Sequence, residues 1–322
     1  MKGFLRRRFA AAVAGIALGA LAACSTVSSD PPPRPPAPLQ PTSPDCIEPA
    51  RIANGTARGG NERLAALYNK VSGTETGNAI MKSLARSKTV ICMNEKLDKP
   101  DAYGFIKIGR FQSGLNRIEL NPLLGDRILP IILAHEGHHE GQPDEFNRKG
   151  NFTGADRVIL HWFNEADARL MSILFAYEIE KSGYSGHMDW LAKTKEDGPL
   201  VKVFKESLER DPDDMEAAMR AVIYAFHKNR PIRESYERFM VKWNEIYGPG
   251  FNPSKPRDEL FTDETLYKQG DKGKLGNYMT PALVDYIRKS FTDEDYQKWE
   301  SKLFKPKPPV SVPAETIPVS MP

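Results

Sequence analysis

Three of the six histidines in this 322-residue chain fall within five consecutive positions, His135-Glu136-Gly137-His138-His139. On a helix, residues four apart lie one turn apart on the same face, so His135 and His139 can present two imidazole nitrogens to one metal ion. Glu136 reaches the flank of such a site, where a carboxylate can take a proton from metal-bound water rather than bind the metal itself. Two imidazoles and a carboxylate, with a fourth position open, are a donor set that suits zinc. His138 lies about 100° around the helix from His139, which fits a supporting or surface role better than ligation.

A third donor must come from elsewhere, and three acids compete for the role: Glu140, Glu165 and Asp167. Glu140 follows His139 directly and projects to a different part of its helix, beside Gly141 where that helix should end. Glu165 lies 26 residues after His139, enough for a loop and a returning helix. Asp167 points roughly 200° away from Glu165 on that helix, so the two cannot both reach one ion. Glu165 has the longer reach, and His161, one turn earlier, keeps its face polar. With Asp167 as ligand, Glu165 would instead orient an imidazole.

The motif His135-Glu136-x-x-His139 followed by a helix carrying Asn164-Glu165-x-x-Ala168 resembles the gluzincin metallopeptidases, the thermolysin-like and aminopeptidase group. More closely, His135-Glu136-x-x-His139-x-x-Gln142 with Glu165-Ala166-Asp167-Ala168 is similar to a family of bacterial metallopeptidase domains. The upstream strand pair ending Ile118-Glu119-Leu120-Asn121 fits that family too. The resemblance covers roughly residues 88–181 and is specific at the two helices. It departs from the thermolysin pattern at Arg169, where an Asp would orient a histidine, and from the metzincin pattern in having no third His at short spacing.

What the resemblance implies is zinc held by His135, His139 and Glu165, with Glu136 as general base in peptide-bond hydrolysis. An oxyanion needs a donor as well, and His161, His187, His227, Tyr103, Tyr177 and Tyr224 are all open candidates. The tyrosines also read as core residues with satisfied hydroxyls, and His187 as part of a Gly-rich loop.

Several elements must position these groups. The apolar run Leu129, Ile131, Ile132 and Leu133 opens a helix over 128–140, stopped by Gly141 and Pro143. Thr153 with Asp156 resembles a capping box for a long helix over about 157–181, whose stripe Trp162, Phe163, Leu170, Ile173, Leu174 and Tyr177 reads as core. Upstream, 61–70 and 78–86 show helical spacing and 89–93 is a strand candidate. Segments 104–111 and 117–120 read as a hairpin whose edge strand ends just before the histidine helix. Further helices are expected over 199–210, 212–228, 234–247, 280–290 and 293–304, with 248–276 polar and loop-like. The expected fold class is α+β, predominantly helical and zincin-like, with a small antiparallel sheet before the HExxH helix. No repeat, heptad run or phosphate loop interrupts this pattern.

The two ends have a different composition. Residues 1–23 join a basic start (Lys2, Arg6, Arg7, Arg8) to an apolar stretch ending Leu21-Ala22-Ala23-Cys24, which resembles the lipobox of bacterial lipoproteins, with Cys24 as the lipidation site. A weaker likeness to twin-arginine signals lies in Arg6-Arg7-Arg8-Phe9. Ser25 after the Cys favours the outer membrane by resemblance to lipoprotein sorting rules. Residues 24–44 are Pro-rich and read as an extended spacer, and 306–322 as a disordered tail, leaving 45–305 as the folded domain. The formal charge of +3 lies in the signal, since removing its four cations leaves −1. A broad basic field for nucleic acid is thereby disfavoured. Cys46 and Cys92 are expected to form a disulfide in an oxidising envelope.

These readings converge on an envelope-anchored zinc metallopeptidase, held to the lipid bilayer through acylated Cys24 and acting on a peptide or protein in the periplasm or at the outer membrane. Two alternatives stand beside it. One is a metal-holding or structural lipoprotein without turnover, for which a carboxylate at Glu136 would have no use. The other is a zinc hydrolase acting on a non-peptide bond.

Overall fold

A computed structural model describes residues 46–50, 62–98, 109–112, 116–142, 154–247, 270, 272 and 276–303. Residues 1–45, read above as a signal and Pro-rich spacer with Cys24, lie outside the described residues, as do Tyr103, Thr153, most of 248–276 and residues 304–322.

The fold is predominantly helical α+β with one small sheet at its N-terminal side. Strands β1 (Cys46–Ile47), β2 (Val90–Met93), β3 (Gly109–Gln112) and β4 (Arg117–Leu120) stand in the order β1-β2-β4-β3. Helices α1 (Glu62–Ser72) and α2 (Glu75–Ser87) intervene between β1 and β2. The 3–4 spacing of Leu64, Leu67, Tyr68 and Val71 on α1, and of Ile80, Met81 and Leu84 on α2, turns one face of each inward. Thr74 starts α2 by accepting a hydrogen bond from the Gly77 N–H at 3.0 Å. Lys88 ends it in the left-handed conformation, φ 58°.

The hairpin expectation holds for β3 and β4, which pair antiparallel, as do β1 and β2. Two details differ. The sheet is mixed, because β2 and β4 run parallel, with Ile91 beside Ile118. The strand preceding the histidine helix is also interior rather than an edge; among the described strands β1 and β3 hold the edges. Helices α1 and α2 carry the chain back before β2, so β2 is free to take β4 as a parallel neighbour. Cys46 lies directly opposite Cys92 and is bonded to it. That bridge closes a 46-residue separation, and cross-links of this kind restrain the unfolded chain by typically about 2–4 kcal/mol.

After β4, a turn built on Asn121, whose side chain accepts from the Leu123 N–H, leads to α3 (Leu129–Gly141). Arg63 of α1 anchors this turn by donating to Pro122 and Leu124 carbonyls and to Asp126. Apolar on most sides, α3 is buried almost throughout. One glycine sets how it sits. A Cβ on Gly137 would come within 2.6 Å of Ile80 Cγ2, so α2 packs directly onto α3 there. Gly137 lies about 160° around the helix from His135 and His139, so that close approach turns both histidines toward the opposite side.

On that side lies α4 (Gly154–Lys181), buried along both flanks by Val158, Trp162, Phe163, Leu170, Ile173, Leu174 and Ile179. Six more helices follow it among the described residues: α5 (His187–Lys193), α6 (Gly198–Arg210), α7 (Met215–Lys228), α8 (Arg230–Tyr247) and the final pair α9 (Pro281–Lys289) and α10 (Asp293–Leu303). Trp162 is enclosed by Phe291 and Trp299, at ring-centroid distances of 5.2 and 5.1 Å, with the Arg233 guanidinium 4.9 Å over its ring. Helix α5 was not anticipated, since seven residues give too short a period to read. Helix α8 begins four residues earlier than expected, at Arg230. No helix among the described residues is long and apolar enough to cross a membrane.

Candidate metal centre

Helices α3 and α4 bring His135, His139 and Glu165 together. One ligand atom from each lies within 4.8 Å of the others, and all three side chains are buried. His135 Nε2 and His139 Nε2 are 3.2 Å apart. Glu165 Oε2 stands 3.6 Å from the first, and its Oε1 3.4 Å from the second.

The outer nitrogens fix what the inner ones present. Gln142 donates its Nε2–H to the Asn164 carbonyl at 2.8 Å, which leaves its Oε1 to accept from His139 Nδ1 at 2.9 Å. Ser172 donates to the Ala168 carbonyl at 3.0 Å, so its oxygen accepts from His135 Nδ1 at 3.3 Å. Both Nδ1 atoms therefore carry hydrogen, and in the neutral rings both Nε2 atoms turn a lone pair inward. Two lone pairs and a carboxylate facing one another in a buried space call for a cation. A divalent ion fits this donor set, and so, less completely, does a proton.

The electrostatics agree. Burial opposes charge on His139, but Glu165, then Glu136 and the Gln142 oxygen, outweigh it and push the imidazole up to about 9. Burial likewise disfavours ionised Glu165, yet the two histidines hold its carboxyl well below the usual range. Glu136, fully buried and one position after His135, has its charge close enough to act on His139.

A pH dependence follows for protein stripped of metal. The His139 contribution to stability is complete below about 6.5, the ordinary imidazole value, and is lost as pH rises through about 9. Thermal melts of chelator-treated protein should therefore fall between pH 6.5 and 9. Melts with saturating Zn²⁺ should not, because the ion takes the place of the proton. Chelated protein melting higher at pH 9 than at 6.5 would contradict this assignment.

Asp167 faces away from this group. It accepts from His138 Nε2 at 2.5 Å, from the Tyr278 hydroxyl at 2.8 Å and from Lys272 Nζ at 2.8 Å. Burial works against its charge, but Lys272 and His138 hold the carboxyl ionised far into acid. The half-buried His138 thus joins Asp167 rather than the ligand group. Glu140 accepts from Ser83 of α2 at 2.9 Å, on another side of α3.

Residues 40–245 match the model of the family described as Putative metallopeptidase family (DUF6782). The chain belongs to this family. No curated protein and no solved structure matches it. The family match takes in α3, α4 and all three clustered side chains, and it stops before Lys272 and Tyr278.

The remaining sequence candidates divide sharply. His161 is buried near the group, its ring 5.2 Å from that of Tyr236. His187 lies toward the far end of α4, where Glu180 accepts from the Met188 N–H, so it is remote from Glu165. Burial pushes His227 down to about 3, and its ring packs against Phe226 and Phe291. Tyr177 stacks on Phe204 and Tyr224 on Tyr286, both as packing residues. Sequence reasoning missed Ser172, Arg169's true partners and Tyr236. Ser172 lies two helical turns after Glu165 on the same face, a spacing that could have been tested. Tyr236 comes from a helix 71 residues away and carried no local signal.

Proposed function

We propose that this protein is a zinc-dependent peptidase, with His135, His139 and Glu165 as metal ligands and Glu136 as general base. The observation that carries the reading is the inward convergence of three buried acceptors, with each imidazole's outer N–H already engaged. Zinc suits such a mixed nitrogen–oxygen set, and when bound it supplies Lewis acidity that lowers the pKa of water and polarises a carbonyl. Glu136 then accepts the proton of the attacking water and returns it to the leaving amine. Helix α3 places Glu136 beside the group, and its burial there keeps bulk water away from its carboxylate. A structural metal binder would need no buried carboxylate there, and its presence favours hydrolysis. Membership of a metallopeptidase family supports a peptide as substrate.

The test is incubation of purified, metal-loaded protein with a mixed peptide library read by mass spectrometry. Cleavage that a chelator abolishes and Zn²⁺ restores is expected. Metal-loaded protein that cuts no peptide but hydrolyses an ester or amide of another class would transfer the reading to a non-peptide bond.

We further propose that the domain works at the cell envelope, tethered through acylated Cys24 and the Pro-rich segment 24–44. Cys24→Ala should move the protein from the membrane to the soluble fraction, or leave the precursor unprocessed. Identical maturation and fractionation of that variant would refute the anchor.

A further inference from the structure

Tyr236, on α8, is buried and donates its hydroxyl to Glu165 Oε2 at 2.9 Å. Arg169, one turn after Glu165 on α4 and equally buried, donates to the same phenol oxygen from Nη2 at 2.9 Å and from Nε at 3.2 Å. A guanidinium has donors only, so both bonds fall on the phenol's lone pairs, and the single phenolic hydrogen is directed to the carboxylate. Arg169 is in turn clamped by Asp197 at Nη1 and Glu196 at Nη2, both just before α6. Four side chains from three parts of the fold thus converge behind one oxygen of Glu165.

We propose that Tyr236 is a positioning residue for the metal-binding carboxylate. Its hydroxyl, oriented by the Arg169–Glu196–Asp197 clamp, holds Glu165 toward the two imidazoles and sets how tightly the three donors retain a divalent ion. This rests on the metal reading above. Three physical points carry it. A carboxylate on a flexible side chain has to be held in one rotamer to bind a metal well, and partners behind a ligand commonly supply that hold. The bond uses Oε2, leaving Oε1 turned to His139 at 3.4 Å. The clamp also pins the guanidinium from its far side, through Glu196 and Asp197, so the phenol oxygen stays occupied and its hydrogen stays directed at Glu165.

The same helix provides an internal control. Two residues beyond Glu165, Asp167 accepts a matching bond from the buried hydroxyl of Tyr278, at 2.8 Å. Tyr236→Phe and Tyr278→Phe therefore each delete one buried phenol–carboxylate hydrogen bond, but only the first touches the ligand group.

The experiment uses the full chain. Zn²⁺ affinity is measured by competition with a chromogenic chelator, and the visible absorption of the Co²⁺-loaded protein is recorded, for wild type and both variants. Tyr236→Phe should bind Zn²⁺ about 10–100-fold more weakly and shift the Co²⁺ bands, while Tyr278→Phe leaves both at wild-type values. Wild-type affinity and spectrum in Tyr236→Phe would overturn the proposal, as would equal changes in the two variants. Should Tyr236→Phe fail to fold, Glu196→Gln loosens the clamp without touching the phenol. It should weaken Zn²⁺ binding in the same direction by a smaller factor, and an unchanged affinity there also overturns the proposal. A wild-type chain that takes up neither ion overturns the metal reading itself, and this proposal with it.

Discussion

Glu136→Gln is expected to keep its metal at wild-type stoichiometry while peptide turnover falls by about 10²–10⁴-fold, the range typical of losing a general base. The amide matches the carboxylate in shape and can still hydrogen-bond, so the fully buried pocket at this position has no reason to collapse. What disappears is the ability to take a proton. It also removes one of the charges that raise His139, so metal uptake should change little in strength while releasing fewer protons at neutral pH. Metal analysis of the purified variant, paired with kcat/KM on the best wild-type substrate, decides the matter. Undiminished turnover by metal-loaded Glu136→Gln would remove Glu136 from the chemistry and favour a site that only holds an ion.

The second large effect separates two neighbouring acids. Glu165→Ala should purify with far less than one zinc per chain, because it deletes a carboxylate that faces both imidazoles. Asp167→Asn should stay near one, since its carboxylate is committed to His138, Lys272 and Tyr278. Its cost belongs in stability instead. Removing the charge leaves a buried Lys272 ammonium short of its partner, and breaking a buried ion pair in this way typically costs about 3–5 kcal/mol. Asp167→Asn should therefore keep its metal and lose denaturant resistance, whereas Glu165→Ala loses the metal and, in the chelated state, the partner that raises His139. The opposite ordering of zinc contents would move the ligand role to Asp167.

Local features of this chain were legible because local physics decides them. The histidine helix announced itself by apolar residues before it and Gly141 after it, and its observed span, Leu129–Gly141, is offset by one residue at each end from the expected one. The i,i+4 spacing put His135 and His139 on one face, and the rotation of Asp167 away from Glu165 followed from helix geometry alone. The pairing of Cys46 with Cys92 likewise followed from the cysteine count and the expectation of export. What could not be read were choices settled by distant packing. Strand β4 became interior because β2, separated from it by more than twenty residues, pairs along its other side. Arg169 looked like a departure from the metallopeptidase pattern, because its partners Tyr236, Glu196 and Asp197 lie on other elements. Of the two groups that orient the imidazoles, Gln142 stood in the motif as a residue without a role, and Ser172 carried only its two-turn spacing from Glu165.

The bond between Cys46 and Cys92 takes on a mechanical meaning if the domain hangs from a lipid. Any pull along residues 24–44 enters the fold at Cys46, at the start of a strand only two residues long. Its backbone pairing alone would peel open under modest load, one partner at a time. The covalent cross-link instead passes the force sideways into β2, which is held along its other edge by the parallel run of β4. Under such a tether the sheet would take up the tension before it reached the histidine helix, and His135, His139 and Glu165 would keep their places.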